Sequence, residues 1–371
     1  MLHVRNAKTF PLGGSPNILI RGTNWIGDVI MTLPAVATIR KNLPEARISV
    51  LAKPWVAEIY RLSPHIDGII PFESPGRHEG ISGIWRLALD LRKENFDGVI
   101  LLQNAIEAAI IATLAGIPLR AGYNTDGRGF LLTHSVKRTG EIRRVHQIDY
   151  YLEMLRALGF HPAGREVILS LGEEYDDRAR DILSAHHISP DTPCIGAAPG
   201  AAYGPAKMWF PDRFAQAAQR LAAEQGAAIL IFGSDGDRER AEMVEKEVRR
   251  GTVINLAGKT NLKEAVALIA RCMLFLSNDS GLMHLAGALG IPLVAVFGST
   301  NPVTTSPVGK HSVVIYKNAD CSPCLKKTCP TDFRCMDMVT VEDVYRAARR
   351  LLEEADRGKT RSGAEGENIC Q

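Results

Sequence analysis

The chain has 371 residues, 46% hydrophobic and 23% charged, with a formal net charge of +3. That length exceeds one ordinary hydrophobic core and predicts two domains. No apolar run approaches the roughly 18 residues that span a bilayer, no stretch near the N-terminus resembles a signal peptide, and the charge is too small to indicate nucleic acid. The expectation is a cytosolic protein. Seven cysteines in that setting argue against a disulfide framework.

In chain order, the first apolar run is NILIR (17–21), read as a strand. It leads into RGTNWIGDVIMTLPAV (21–36), where Asp28 stands between a glycine-containing turn and a helix start. An acid there is either a helix N-cap, the commoner use, or a base at the carboxyl edge of a parallel sheet, where α/β folds keep their chemistry. The helical pattern over 31–43 contains Pro34, which is expected to kink or restart it. Further strands are predicted at 47–52, 67–70 and 97–104. Short apolar strands alternating with helices predict a parallel sheet covered on both faces. The basic cluster KRTGEIRR (137–144) suits a solvated surface about as well as an anionic partner. Residues 146–159 read as an amphipathic helix ending at Gly159.

The second half repeats the rhythm. Strands are predicted at 194–200, 227–233, 253–258, 273–279 and 292–298, with helices after the first four. The polar stretch HHISPDTP (186–193) suits a linker. The expected division is therefore 1–185 and 186–355, with a disordered polar tail over 356–371. The fold class is α/β, two Rossmann-like doubly wound domains facing a cleft, the default active site.

Three loops at predicted strand ends suit nucleotide phosphates. PGAAYGPAKMW (199–209) carries Gly200 and Gly204, which let backbone N–H groups approach a ligand. Lys207 in the same loop is either a point charge for a diphosphate or an exposed lysine without a partner. FGSDGDRER (232–240) offers Asp235 and Asp237 to ribose hydroxyls, or as a helix cap. SNDSGLMHLAGALG (277–290) ends a strand at Asp279, opens a helix with Ser280 and Gly281, and places His284 one turn inside. Spacing i, i+4 puts Ser280 and His284 on one face. A GxGxxG after the first strand, a GxxxxGK[ST], an HExxH and a GxSxG are all missing, which argues against P-loop, zinc-protease and serine-hydrolase chemistry. CSPCLKKTCPTDFRC (321–335) has one CxxC spacing, but the remaining spacings fit no standard finger. Free thiols are expected, with zinc on Cys321, Cys324, Cys329 and Cys335 as the alternative.

Through RGTNWIGDVIMTLPA, APGAAYGPAKMWF and NDSGLMHLAGALGIPLVAVFGSTNP the chain resembles glycosyltransferase family 9, the ADP-heptose–lipopolysaccharide heptosyltransferases, from about Asn17 to Leu352. The resemblance implies a GT-B type enzyme whose first domain holds the acceptor and whose second holds the nucleotide sugar. It implies Asp28 as catalytic base, Lys207 on the diphosphate, Asp237 on the ribose, Asp279, Ser280, Gly281 and His284 at the nucleotide edge, and Thr260 beside the adenine. The stretches are most similar to members that add the second inner-core heptose, to heptosyl-Kdo-lipid A. First- or third-heptose transfer and a nucleotide-sugar epimerase are the alternatives. The implied partners are an ADP-heptose donor, a lipopolysaccharide inner-core acceptor and a weak peripheral contact with the inner face of the inner membrane. No cofactor or obligatory divalent cation is expected, and no family role falls on the cysteine loop.

Overall fold

The computed structural model describes residues 8–11 and 13–366, with side chains through residue 357. The chain divides into two compact units, Met1–Ser170 and Leu171–Gln371.

The first unit is built on β1 (Asn17–Arg21), β2 (Arg47–Ala52), β3 (Gly68–Pro71), β4 (Gly98–Leu101), β5 (Leu119–Tyr123) and β6 (His134–Val136). They form one sheet in the order β3-β2-β1-β4-β5-β6, every pair parallel. Its helices are α1 (Ile26–Asn42), α2 (Ala57–Arg61), α3 (Gly80–Lys93), α4 (Ile106–Leu114) and α5 (Gln147–Ala157). The strand order reverses between β1 and β4, the switch point at which doubly wound sheets bind ligands. α1 runs unbroken through Pro34, contrary to the expected kink or restart. An interior proline costs about 3 kcal/mol, but Ile30, Leu33, Val36 and Ile39 around it are buried. At about 1.5–3 kcal/mol for each such side chain, burial outweighs that cost. α5 ends as expected, with Gly159 beyond it at φ +93°.

The second unit opens with α6 (Glu173–Ala185) and continues through β7 (Cys194–Ala198), α7 (Pro211–Gln225), β8 (Ala228–Ile231), α8 (Arg238–Glu247), β9 (Val253–Asn255) and α9 (Leu262–Ala270). β10 (Cys272–Asn278), α10 (Gly281–Ala288), β11 (Leu293–Phe297), α11 (Pro302–Thr305), β12 (Ser312–Tyr316), α12 (Arg334–Asp337) and α13 (Val341–Gly366) follow. The sheet order β12-β11-β10-β7-β8-β9 is that of the first unit read from the other edge. Its switch point lies between β7 and β10.

The division falls at 170/171 rather than 185/186 because α6 belongs to the second unit. It packs on α9 through the Arg178–Glu264 ion pair and the Lys263 ammonium 4.9 Å over the Tyr175 ring. The tail is helical through Gly366 rather than disordered from residue 356. Tyr345, Ala348, Leu351 and Leu352 bury one face of α13, and Arg346–Glu342, Arg349–Glu353 and Arg350–Glu354 pair at i, i+4 along the other. Residues 367–371 of that expected tail lie outside the described residues. Among the described residues no helix is long and apolar enough to cross a membrane.

Candidate active site

Asp28 occupies the first turn of α1, directly after β1, at the switch point of the first sheet. The N-cap is Trp25, whose side chain caps nothing, so the capping alternative for Asp28 does not hold. Asp28 is half-buried and faces α5. The Tyr151 phenol there is pushed well above its usual range by burial, then by the Asp28 charge and neighbouring tyrosines. The same sheet edge gathers cations. Arg21 ends β1 fully buried, its guanidinium lowered to about 10 by burial, while Tyr60 and Glu107 pull the other way. Lys53 follows β2, with Nζ 2.6 Å from the Ser74 carbonyl oxygen and 3.8 Å from the centre of the Phe72 ring. Burial, and then the Arg21 charge, push its ammonium down.

In the second unit the expected phosphate loops meet at the switch point. Lys207 closes a short 3-10 turn, Pro205–Lys207, after β7, and its Nζ pairs with Asp279 Oδ2 at 2.7 Å. It is thus no solvated surface lysine. Thr300, after β11, donates its hydroxyl to the same Oδ2 at 2.6 Å. Asn278 binds the two strand ends together, donating to the Pro199 carbonyl at 2.7 Å and accepting from the Trp209 N–H at 2.9 Å. Ser280 caps α10, accepting from Met283 N–H at 3.4 Å, and Gly281 begins the helix as expected. His284, one turn inside, is buried.

Asp237 lies against Gly200. A Cβ built on Gly200 would collide with the Asp237 carboxylate, so any larger residue here must displace that side chain. The other carboxylate oxygen, Oδ2, closes a capping box, accepting from Ser234 N–H at 2.9 Å and Ser234 Oγ at 2.6 Å. Asp235 turns instead to Arg238. Thr260 sits beyond β9, next to Asn261, the N-cap of α9, and makes no direct contact with the Lys207–Asp279 pair. The structure therefore brings Lys207, Asp279, Ser280 and Gly281 to one point, puts Asp237 against Gly200, and leaves Thr260 two strands away.

Sequence reasoning missed Thr300, Asn278 and the role of the cysteine loop. That loop lies on the loops after β7 and β11 and fastens them. Ala206 N–H donates to the Lys327 carbonyl at 3.0 Å, Tyr203 Oη to the Leu325 carbonyl at 2.8 Å, and Leu325 N–H to the Ser299 carbonyl at 2.7 Å. Cys321, Cys324, Cys329 and Cys335 are free thiols. Among the described residues no group of three or more His, Cys, Asp or Glu is arranged to hold a metal ion. The Cys335 thiol is pushed up by burial and by the facing Cys321, Cys329 and Cys324. A small-residue strand end such as FGST, next to another charged strand end, is the signal that would have found Thr300.

A family model described as glycosyltransferase family 9 (heptosyltransferase) matches residues 84–333. The chain is 32% identical over 316 residues to lipooligosaccharide heptosyltransferase 2 of Haemophilus influenzae, covering 81% of this chain and 88% of that protein. It is 31% identical over 305 residues to lipopolysaccharide heptosyltransferase 2 of Salmonella typhimurium, covering 80% and 87%. The solved structure of E. coli ADP-heptose LPS heptosyltransferase II superposes with a TM-score of 0.77 at 28% identity, over 92% of this chain and 99% of that one. Two doubly wound parallel sheets are the GT-B type of glycosyltransferase fold, as the resemblance implied. With the family model matched over more than half of its length, the chain belongs to glycosyltransferase family 9, the heptosyltransferases.

Proposed function

We propose that this enzyme transfers heptose from ADP-heptose to the heptosyl-Kdo-lipid A inner core of lipopolysaccharide, adding the second heptose with inversion. The first unit takes the acceptor and the second takes the donor. Asp28 accepts the proton of the acceptor hydroxyl as that oxygen bonds to the anomeric carbon. The bond from that carbon to the ADP phosphate oxygen breaks in the same step. General-base help of this kind is typically worth about 10²–10⁴-fold. Lys207 and the N-terminus of α10 stabilise the charge growing on the departing diphosphate, a preorganised arrangement that often supplies the larger share. Asp237 reads the ribose, and Thr260 lies on the adenine side. His284, one turn inside α10, joins them at the nucleotide edge. The reaction takes place in the cytoplasm, with weak peripheral contact at the inner face of the inner membrane.

The observation that carries this reading is the Lys207–Asp279–Thr300 chain at the switch point between β7 and β10. It puts a partly buried cation beside a helix N-terminus, where a diphosphate binds in this class of sheet. The test is incubation with ADP-heptose and acceptors bearing no, one or two heptoses. Transfer confined to the one-heptose acceptor is expected. Transfer to a different acceptor reassigns the position, and an altered sugar nucleotide formed without acceptor makes the enzyme an epimerase.

A further inference from the structure

The basic cluster at 137–144 has no role in the reaction above, and its surroundings give it one. Lys137, Arg138, Arg143 and Arg144 are all exposed, against two exposed carboxylates on the same pair of loops, Glu141 and, after β5, Asp126, which accepts the Ile106 N–H. None of the four is in an ion pair among the described residues, whereas most exposed arginines of α13 are paired along their helix. They follow β6. The loop after the neighbouring strand β5 carries Phe130, 80% exposed on the 3-10 turn Arg128–Leu131. The two loops are joined. Asn124 accepts the Arg138 N–H at 3.0 Å, and a Cβ on Gly129, next to Phe130, would lie 3.3 Å from the Asn124 Cβ.

We propose that the loops after β5 and β6 form a docking surface for an anionic lipid bilayer, with the four cations on headgroups and Phe130 entering the interface. The proposal rests on the reading of a lipid-linked acceptor and gives that acceptor's enzyme its place on the membrane. Charge complementarity chooses this surface. α3 exposes a longer apolar stripe, Ile81, Trp85 and Leu89, but its bordering charges are mixed: Glu79, Asp90 and Glu94 offset Arg77, Arg86, Arg92 and Lys93, with Asp90 paired to Arg77 and Lys93. An unneutralised cation cluster beside one exposed aromatic ring supplies two weak signals of the kind reversible membrane binding needs.

The test is co-sedimentation of the full-length protein with vesicles of phosphatidylcholine alone or mixed with phosphatidylglycerol. Binding to the mixed vesicles, released by salt, is expected, with little to the neutral ones. Each cation near an anionic surface contributes about fivefold in partitioning, so Lys137→Gln/Arg143→Gln/Arg144→Gln weakens binding about a hundredfold. Phe130→Ala weakens it further. Heptose transfer to a delipidated inner-core acceptor stays unchanged in the triple variant, which separates this proposal from the assigned reaction. If the parent protein ignores phosphatidylglycerol, the proposal is wrong. It also fails if the triple variant binds like the parent while Trp85→Ser does not, which assigns docking to α3. Equal loss of affinity for the delipidated acceptor and for vesicles makes the cluster an acceptor-phosphate reader and overturns the lipid surface.

Discussion

Lys207 Nζ lies 2.7 Å from Asp279 Oδ2, so the cation assigned to the donor phosphates is already held by a carboxylate of the protein. Thr300 fixes the same oxygen from β11. A charge anchored before the ligand arrives needs no reorganisation as negative charge develops, which is the condition under which such groups contribute most to rate.

Replacing Lys207 by Met leaves Asp279 buried without its cation. Removing one partner of a buried pair costs about 3–5 kcal/mol, so the melting temperature falls. Lys207→Met/Asp279→Asn removes the orphaned charge and regains much of that stability. Transfer stays low in both, by roughly 10²–10³-fold in kcat. A double variant that regains transfer along with stability would remove Lys207 from the phosphate site.

Asp28→Asn separates structure from chemistry at the first sheet. Asp28 is not the N-cap of α1, so no cap is lost, and its placement in the first turn accounts for about 0.3–1 kcal/mol. Heptose transfer falls by roughly 10²-fold or more, because an amide cannot take the acceptor's proton. Calorimetry shows unchanged ADP affinity. Transfer at close to the native rate sinks the base assignment.

Gly200→Ala tests Asp237 without touching it. The added methyl would collide with the Asp237 carboxylate and must displace it from Ser234. Losing one hydrogen bond to a charged group costs about 1.5–3 kcal/mol, about ten- to a hundredfold in ADP affinity. Asp237→Ala gives a loss of similar size. Parent-like binding of ADP by Gly200→Ala is the outcome that frees Asp237 of its ribose role.

The thiols of the 321–335 loop are unequal. For Cys329, burial pushes up, but the Thr331 hydroxyl and the Thr331 and Phe333 N–H groups prevail and lower the thiol below its usual range. Cys335 is raised by burial. The thiolate is the reactive form, so with rising pH alkylation begins at Cys329 before Cys335, as mass spectrometry under limiting reagent will show. Because main-chain groups fasten the loop, exchanging all four cysteines for Ser leaves turnover within a few-fold. Burying a hydroxyl at position 335 costs about 1–3 kcal/mol of stability. Labelling of Cys335 as early as Cys329 contradicts this order.

The inner strands were legible because they are largely apolar runs: in the first sheet Asn17–Arg21 and Arg47–Ala52 match the observed strands residue for residue, and in the second β7 and β10 lie within one or two residues of the stretches read. β5 was not, since LRAGY mixes a cation and a glycine into its run, and β6 has only three residues. The half-buried edge strand β12, SVVIY, has strong β composition but lies beyond the region read as alternating units. At the site, loops carrying Lys207 and Asp279 were readable from glycines and small residues at strand ends. Their ion pair was not, because it joins residues 72 apart in sequence. Thr300 stayed hidden for the same reason: one hydroxyl carries no signal until the fold brings a carboxylate to it.

The fastening of the 201–207 loop has a consequence for synthesis. Tyr203 bonds to Leu325, 122 residues downstream. A nascent chain that has emerged only as far as β11 has five of the six strands of the second sheet, including both that flank the switch point. Its Lys207 loop still lacks the segment that ties it down. The loop carrying Lys207 is therefore tied down only after residues 325–327 have emerged, later than the sheet beneath it.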